Sequence, residues 1–251
     1  MTYSKLKIYG ERNTGTNYLE RLLKTNLKTD VLPGVAPLSI QLLELLSPGR
    51  ENLREWYFKR TFDQNFGWKH RCVDLTVLEK NEALAGRIGF LCLLKNPYSW
   101  LLSFYKRTHH YEHLKHESFE DFLQTPISLL PRDNIANHKL TPVKIWNLKN
   151  SSYLELSKNS HHTKILKYES LIKDPKQTID EIAFRFKVSR KSESFINVVK
   201  STKSKSNKNF YDYQKYYNEE IWKQNLTTRS IHLINSELDQ PLVNTLGYRL
   251  S

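Results

Sequence analysis

The chain has 251 residues, enough for one good hydrophobic core, and carries 39 lysines and arginines against 26 aspartates and glutamates, a formal net charge of +13. That excess attracts an anionic ligand, an anionic acceptor, nucleic acid or a membrane surface without choosing among them. Two cysteines exclude a disulfide scaffold. No signal peptide and no run long enough to span a bilayer is present, so one soluble domain, residues 1–251, with a cytoplasmic location is expected.

In chain order, Leu6-Lys7-Ile8-Tyr9 reads as a short strand, and Tyr18, Leu19, Leu22, Leu23 and Leu27 fall on one face at helical spacing. Between them lies Gly10-Glu11-Arg12-Asn13-Thr14-Gly15-Thr16-Asn17, a glycine loop placed to aim backbone N–H groups and a helix N-terminus at one phosphate. Against the pattern G-x-x-x-x-G-K-[ST], Gly10 and Gly15 fit. Thr16 replaces the lysine and Asn17 the magnesium-binding hydroxyl, which argues against ATPases and kinases.

The segments Leu38 to Leu46 and Glu117 to Leu156, with Phe119, Phe122, Leu129, Leu130, Trp146 and Tyr153, lie between the cofactor-type units and are expected to shape an acceptor pocket. Phe66-Gly67-Trp68-Lys69-His70 reads as a strand ending in two polar residues, which would then point to opposite faces. The run Gly89 to Leu94 is apolar on both parities, as in a parallel strand covered on both sides. Asn96 as N-cap and Pro97 at the first helical position then open a helix bearing Trp100, Leu101, Phe104 and Tyr105, and Lys95 sits at the strand's carboxyl end.

His109, His110, His113 and His116 follow, but no cysteine or H-E-x-x-H pattern joins them, so a titratable face or acceptor rim is preferred to a metal site. Lys164 to Tyr168 repeats the strand pattern, with a helix from near Asp174-Pro175 burying Ile179, Ile182, Ala183 and Phe186. Lys200, Lys203, Lys205 and Lys208 form a basic loop, followed by Phe210, Tyr211, Tyr213, Tyr216 and Tyr217. Strands alternating with helices predict an α/β fold, a single domain with a central parallel sheet flanked by helices.

Four of these segments resemble the sulfotransferases that use 3'-phosphoadenosine 5'-phosphosulfate (PAPS). Arg12 to Leu19 looks like that family's P-loop-like 5'-phosphosulfate loop. Lys95-Asn96-Pro97 with Ser103 and Tyr105 is similar to the 3'-phosphate motif R-[ND]-P-x-x-x-x-x-S-x-Y, at the same spacing. Lys167-Tyr168-Glu169-Ser170-Leu171 with Asp174-Pro175 resembles the segment whose tyrosine lies near the adenine, and the lysine loop is placed like the segment closing over the 3'-phosphate. Two positions depart from the pattern: Asn13 stands where a basic residue is usual, with Arg12 one position earlier, and Lys95 lacks arginine's bidentate fork.

The resemblance implies PAPS as donor, adenosine 3',5'-bisphosphate as product, no metal, and a saccharide or other small acceptor rather than nucleic acid. Cofactor-binding candidates are Arg12, Asn13, Thr14, Gly15, Thr16, Asn17, Lys95, Ser103, Tyr168, Lys203, Lys205 and Lys208. Arg12 and Lys69 are candidates for stabilising the transferred group. His70 is the favoured general base and Glu11 the alternative, because a histidine near its ordinary pKa suits neutral pH better than an unshifted carboxylate. A P-loop kinase is the competing enzyme class, and a non-catalytic basic binding module the competing non-enzyme.

Overall fold

Residues 3–46, 52–83, 87–108, 117–201 and 208–251 are described by a computed structural model. The chain runs β1 (Lys5–Tyr9), α1 (Thr16–Asn26), β2 (Asp30–Val31), α2 (Leu38–Leu45), α3 (Asn52–Arg60), α4 (Phe62–Asn65) and α5 (Thr76–Ala83). Next come β3 (Ile88–Leu94), α6 (Pro97–Tyr105), α7 (Phe119–Gln124), a ribbon of β4 (Ile127–Ser128) and β5 (Lys139–Leu140), and α8 (Pro142–Asn159). The remainder is β6 (Thr163–Lys167), α9 (Tyr168–Lys173), α10 (Pro175–Phe186), α11 (Phe210–Asn218), α12 (Thr228–Glu237) and α13 (Gln240–Thr245).

Four parallel strands in the order β2-β1-β3-β6 make the central sheet among the described residues, with helices on its faces. Every residue of β3 is buried, as its unbroken apolar sequence requires. The stripe Tyr18, Leu19, Leu22 and Leu23 seals α1 onto the sheet, each large apolar side chain contributing about 1.5–3 kcal/mol. One core extends from Tyr3 to Tyr248.

From β1 the chain moves to β2 on one side and returns to β3 on the other, so the carboxyl ends of β1 and β3 flank a topological switch point. The Gly10 loop follows β1, Lys95 follows β3, and Tyr168 follows β6. The caps read from sequence are present. The Asn96 side chain accepts from the N–H groups of Tyr98 and Ser99, with Pro97 leading α6, and Asp174 caps α10 ahead of Pro175.

The segment Phe66 to His70 is not the strand the sequence suggests. Phe66 and Gly67 both adopt positive φ, 57° and 78°, which turns the chain sharply after α4. The Phe66 carbonyl accepts from the Tyr9 hydroxyl, and that of Gly67 from the buried Lys7 ammonium, so the turn is tied down to β1. The second expectation to fall is the acceptor pocket. Phe119, Phe122, Leu129, Trp146 and Tyr153 are core residues, because α7 and α8 pack on α6 and α8 on β6.

Candidate active site

At the carboxyl ends of β1, β3 and β6 lies a cavity of about 400 Å³ whose wall includes Arg12, Asn13, Gly15, Thr16 and Asn17, then Trp68, Lys69 and His70, and Tyr168. Among the described residues, none from Leu38 to Leu46 lines it; Val35, just before them, does. The loop that builds one side is held by its own backbone. Gly10 N–H donates to Lys69 C=O, and Thr14 gives both its N–H and its hydroxyl to Glu11 C=O.

Gly15 is the N-cap of α1 with φ 91°, and no side chain caps the helix there. The first-turn N–H groups of α1 therefore belong to the cavity wall, where an anion is stabilised by them and by the helix dipole. Only glycine suits this position. A Cβ would sit 2.6 Å from the Tyr168 ring.

Lys69 and His70, adjacent in sequence, face the same cavity because the chain there is a turn rather than a strand. Lys69 donates to Asn17 Oδ1 at 2.5 Å, and burial lowers its pKa. His70 Nδ1 lies 2.5 Å from the Gly10 carbonyl oxygen, which can only accept, so Nδ1 carries the proton and Nε2 is the basic nitrogen. Burial, then the charges of Lys69, Arg12 and Lys149, hold the His70 pKa well below its usual value. The expectation of a histidine near its ordinary pKa does not hold: burial and the surrounding cations make the ring neutral at neutral pH and a weaker base than a free imidazole.

Behind this wall is a buried charge network. Arg12 Nη1 pairs with Glu11 Oε1 at 2.9 Å and Asp133 Oδ1 at 3.4 Å, and its guanidinium lies 4.5 Å from the Trp68 ring centre. Lys149 of α8 reaches Asp133 Oδ1 at 2.7 Å, Glu11 Oε2 at 3.3 Å and the His70 carbonyl. Burial alone would raise the Asp133 pKa, but Lys149 and Arg12 more than offset it and hold the carboxyl below the usual carboxylate range. Glu11 is thus engaged behind the loop and does not line the cavity, and Thr14 is spent within the loop.

Lys95 and Ser103 meet as their spacing suggests, with Nζ donating to Ser103 Oγ at 2.8 Å. Nζ also donates to the Tyr217 hydroxyl at 2.7 Å and to Asn13 C=O at 3.4 Å, and lies 5.1 Å from the Tyr168 ring centre. These bonding partners are neutral, and burial lowers the Lys95 pKa to about 7. Lys95 sits behind the cavity wall, with Tyr217 between. Lys208 is exposed near the Tyr216 ring, while Lys200 lines the cavity.

Lys203, Lys205, His109, His110, His113 and His116 lie outside the described residues. Among the described residues no cluster of His, Cys, Asp and Glu is suited to a metal, and no helix is long and apolar enough to cross a membrane. Several long-range contacts that brace these loops are not visible in the sequence. Trp100 Nε1 donates to Arg12 C=O, Trp146 Nε1 donates to Lys95 C=O, and Asn96 N–H donates to Glu169. Their partners lie 51 to 88 residues away, and no local pattern marks them.

A family model described as "Sulfotransferase domain" matches residues 78–232, more than half of the chain. The chain belongs to the sulfotransferase family. Solved structures share its fold at low identity. The sulfotransferase domain from the curacin biosynthetic pathway aligns at TM-score 0.52 and 12% identity, covering 100% of this chain and 99% of that one. A sulfotransferase from Alicyclobacillus acidocaldarius gives 0.51 and 14%, over 94% and 97% of the two chains. The sulfotransferase domain of the Synechococcus PCC 7002 olefin synthase gives 0.52 and 14%, over 98% and 95%.

A comparison with curated protein sequences finds no match. Within this sulfotransferase the family match contains Lys95, Ser103, Tyr168 and the basic segment. The Gly10 loop, Lys69 and His70 precede it, and their assignment rests on geometry.

Proposed function

We propose that this sulfotransferase takes the sulfuryl group of PAPS and passes it to a hydroxyl or amine of a saccharide or other small acceptor by in-line, metal-independent transfer. The observation that carries this reading is that His70, neutral and with its proton fixed on Nδ1, shares one cavity with the uncapped start of α1. The residues fit the donor. The N–H groups of α1 with Thr16 and Asn17 would hold its 5'-phosphosulfate and Tyr168 its base, while Lys95 and Ser103, behind Tyr217, would take its 3'-phosphate once the phosphate displaces the Tyr217 hydroxyl. When bound, the donor supplies an activated sulfuryl group whose S–O bond to the phosphate breaks as the acceptor oxygen bonds to sulfur.

The protein's part is orientation and charge. His70 Nε2 takes the acceptor proton, while Lys69 and Arg12 offset the negative charge around sulfur and the bridging oxygen. Glu11, held between Arg12 and Lys149, is a weaker choice of base because protonating it would break both pairs. Lys200 on the cavity wall adds to its attraction for a polyanionic nucleotide. Unpaired thiols at Cys72 and Cys92 suit a cytoplasmic setting.

Calorimetric titration with adenosine 3',5'-bisphosphate in the absence of magnesium tests the proposal, with AMP and ATP as controls. Micromolar binding that needs the 3'-phosphate is expected. ATP binding that appears only with magnesium, and none by the bisphosphate, would sink the PAPS reading.

A further inference from the structure

The helix α2 presents leucines to solvent in a way its neighbours do not. Leu38 is 68% exposed, Leu42 52%, Leu43 54%, and Leu46, at the helix C-cap, 85%. Leu38, Leu42 and Leu46 recur every four residues and form one stripe, with Leu43 beside it. The other side of the helix is the packed one. Ile40 rests on the small cluster of Ala36, Phe58 and Trp68, and the Gln41 side chain bonds to Ala36 C=O.

Among the described residues of α2 and α3 both acidic side chains are paired. Glu44, the acidic residue of α2, is buried and paired with Arg54, and Glu55 on α3 is paired with Arg132. What α3 exposes is Trp56, 59% accessible, with Lys59 and Arg60 three and four residues on and therefore on the same side of the helix. Leucines, a tryptophan and basic side chains together are the composition of a surface seated at the boundary between lipid tails and anionic headgroups. The net charge of +13 draws the whole protein toward such a surface and opposes self-association of this face.

The face is continuous with the active site. Val35 is at once exposed and part of the cavity wall, three residues before Leu38, and Trp68 joins the cluster beneath α2 to the cavity. We propose that the α2–α3 face docks the protein peripherally on an anionic lipid bilayer, placing the cavity mouth at the headgroups, so that the acceptor is a hydroxyl carried by a lipid headgroup. The identity of that acceptor rests on the sulfotransfer reading above; the docking does not.

Flotation with phosphatidylcholine vesicles, with and without phosphatidylserine, tests it, using the full chain without nucleotide. Wild-type protein is expected to float with the phosphatidylserine vesicles and to be released as salt rises. The double variant L42E/L46E, exposed positions that touch no part of the site, should lose at least tenfold in vesicle affinity while binding adenosine 3',5'-bisphosphate as wild type does. K59E/R60E should float no better with phosphatidylserine than without it.

No flotation of the wild type, flotation indifferent to phosphatidylserine, or flotation unchanged in L42E/L46E would each overturn the proposal. So would light scattering that shows a wild-type dimer made monomeric by L42E/L46E, which would give the face to a second copy. A protein that floats as expected but ignores adenosine bisphosphate keeps the docking surface and refutes the donor assignment alone.

Discussion

On the proposed reading, Lys95 makes donor binding sensitive to pH in a calculable way. Its ammonium is buried among the neutral partners Ser103, Tyr217 and Asn13 C=O, and its pKa is lowered to about 7. A 3'-phosphate seated at Lys95 would replace the Tyr217 hydroxyl with a dianion and restore the ammonium's pKa, so binding takes up a proton. As pH rises above about 7 the free protein loses that proton and affinity falls. At pH 9 about one molecule in a hundred still carries it against about half at pH 7, so the dissociation constant for adenosine 3',5'-bisphosphate should rise about 50-fold between the two, or roughly 2 kcal/mol.

The phosphate is not the source of such a slope, because its second pKa is about 6 and it stays dianionic throughout the window. His70, neutral throughout, does not contribute. Lys69 faces the same cavity with a lowered pKa, so AMP, which lacks the 3'-phosphate, isolates its share. Calorimetry from pH 7 to pH 9 in buffers of different ionisation enthalpy measures both affinity and proton uptake. Lys95→Arg, charged across the range, should flatten the curve. A flat wild-type curve, or the same slope in the arginine variant, would refute the assignment of Lys95 to the 3'-phosphate.

His70→Asn keeps a donor for Gly10 C=O at the place of Nδ1 but no basic nitrogen; turnover should fall about 100- to 10,000-fold with bisphosphate affinity nearly unchanged, and a loss under tenfold would remove His70 as the base. Gly15→Ala places a side chain at φ 91° and within 2.6 Å of the Tyr168 ring. It should cost at least about 1–2 kcal/mol, lower the melting temperature by several degrees and weaken nucleotide binding, which thermal melts and calorimetry would read. Lys149→Met strips the cation shared by Asp133, Glu11 and the His70 carbonyl, at a cost of about 3–5 kcal/mol in urea unfolding. Because the folded Asp133 pKa lies below its unfolded value, its stabilisation is complete above about pH 4 and lost as pH falls further. The variant should be less stable at neutral pH and show a shallower acid-side decline.

Much of the scaffold was legible in the sequence because its signals are local. A strand, a glycine turn and an apolar stripe placed β1, the glycine loop and α1 within about twenty residues, and Asn96-Pro97 and Asp174-Pro175 announced helix starts whose caps depend only on the next three residues. The eight-residue step from Lys95 to Ser103 spans the first turns of one helix, so it too survived into the structure as a contact. Phe66 to His70 misled because a run of alternating character does not reveal that Lys7 and Tyr9 hold its first carbonyls in a turn.

What the sequence by itself determined was the alternation of β1, β3 and β6 with helices and which residues follow those three strands, since periodicity and capping act over one element at a time. The tertiary structure alone decided which of those residues share a site. It put Lys69 and His70 on one wall, drew Glu11 away from the cavity toward Lys149, and set Tyr217 on Lys95 from 122 residues away. Such contacts form where burial leaves a charge or a donor no water to pair with, and that demand is met by whatever side chain the packed fold brings near, which no spacing along the chain records.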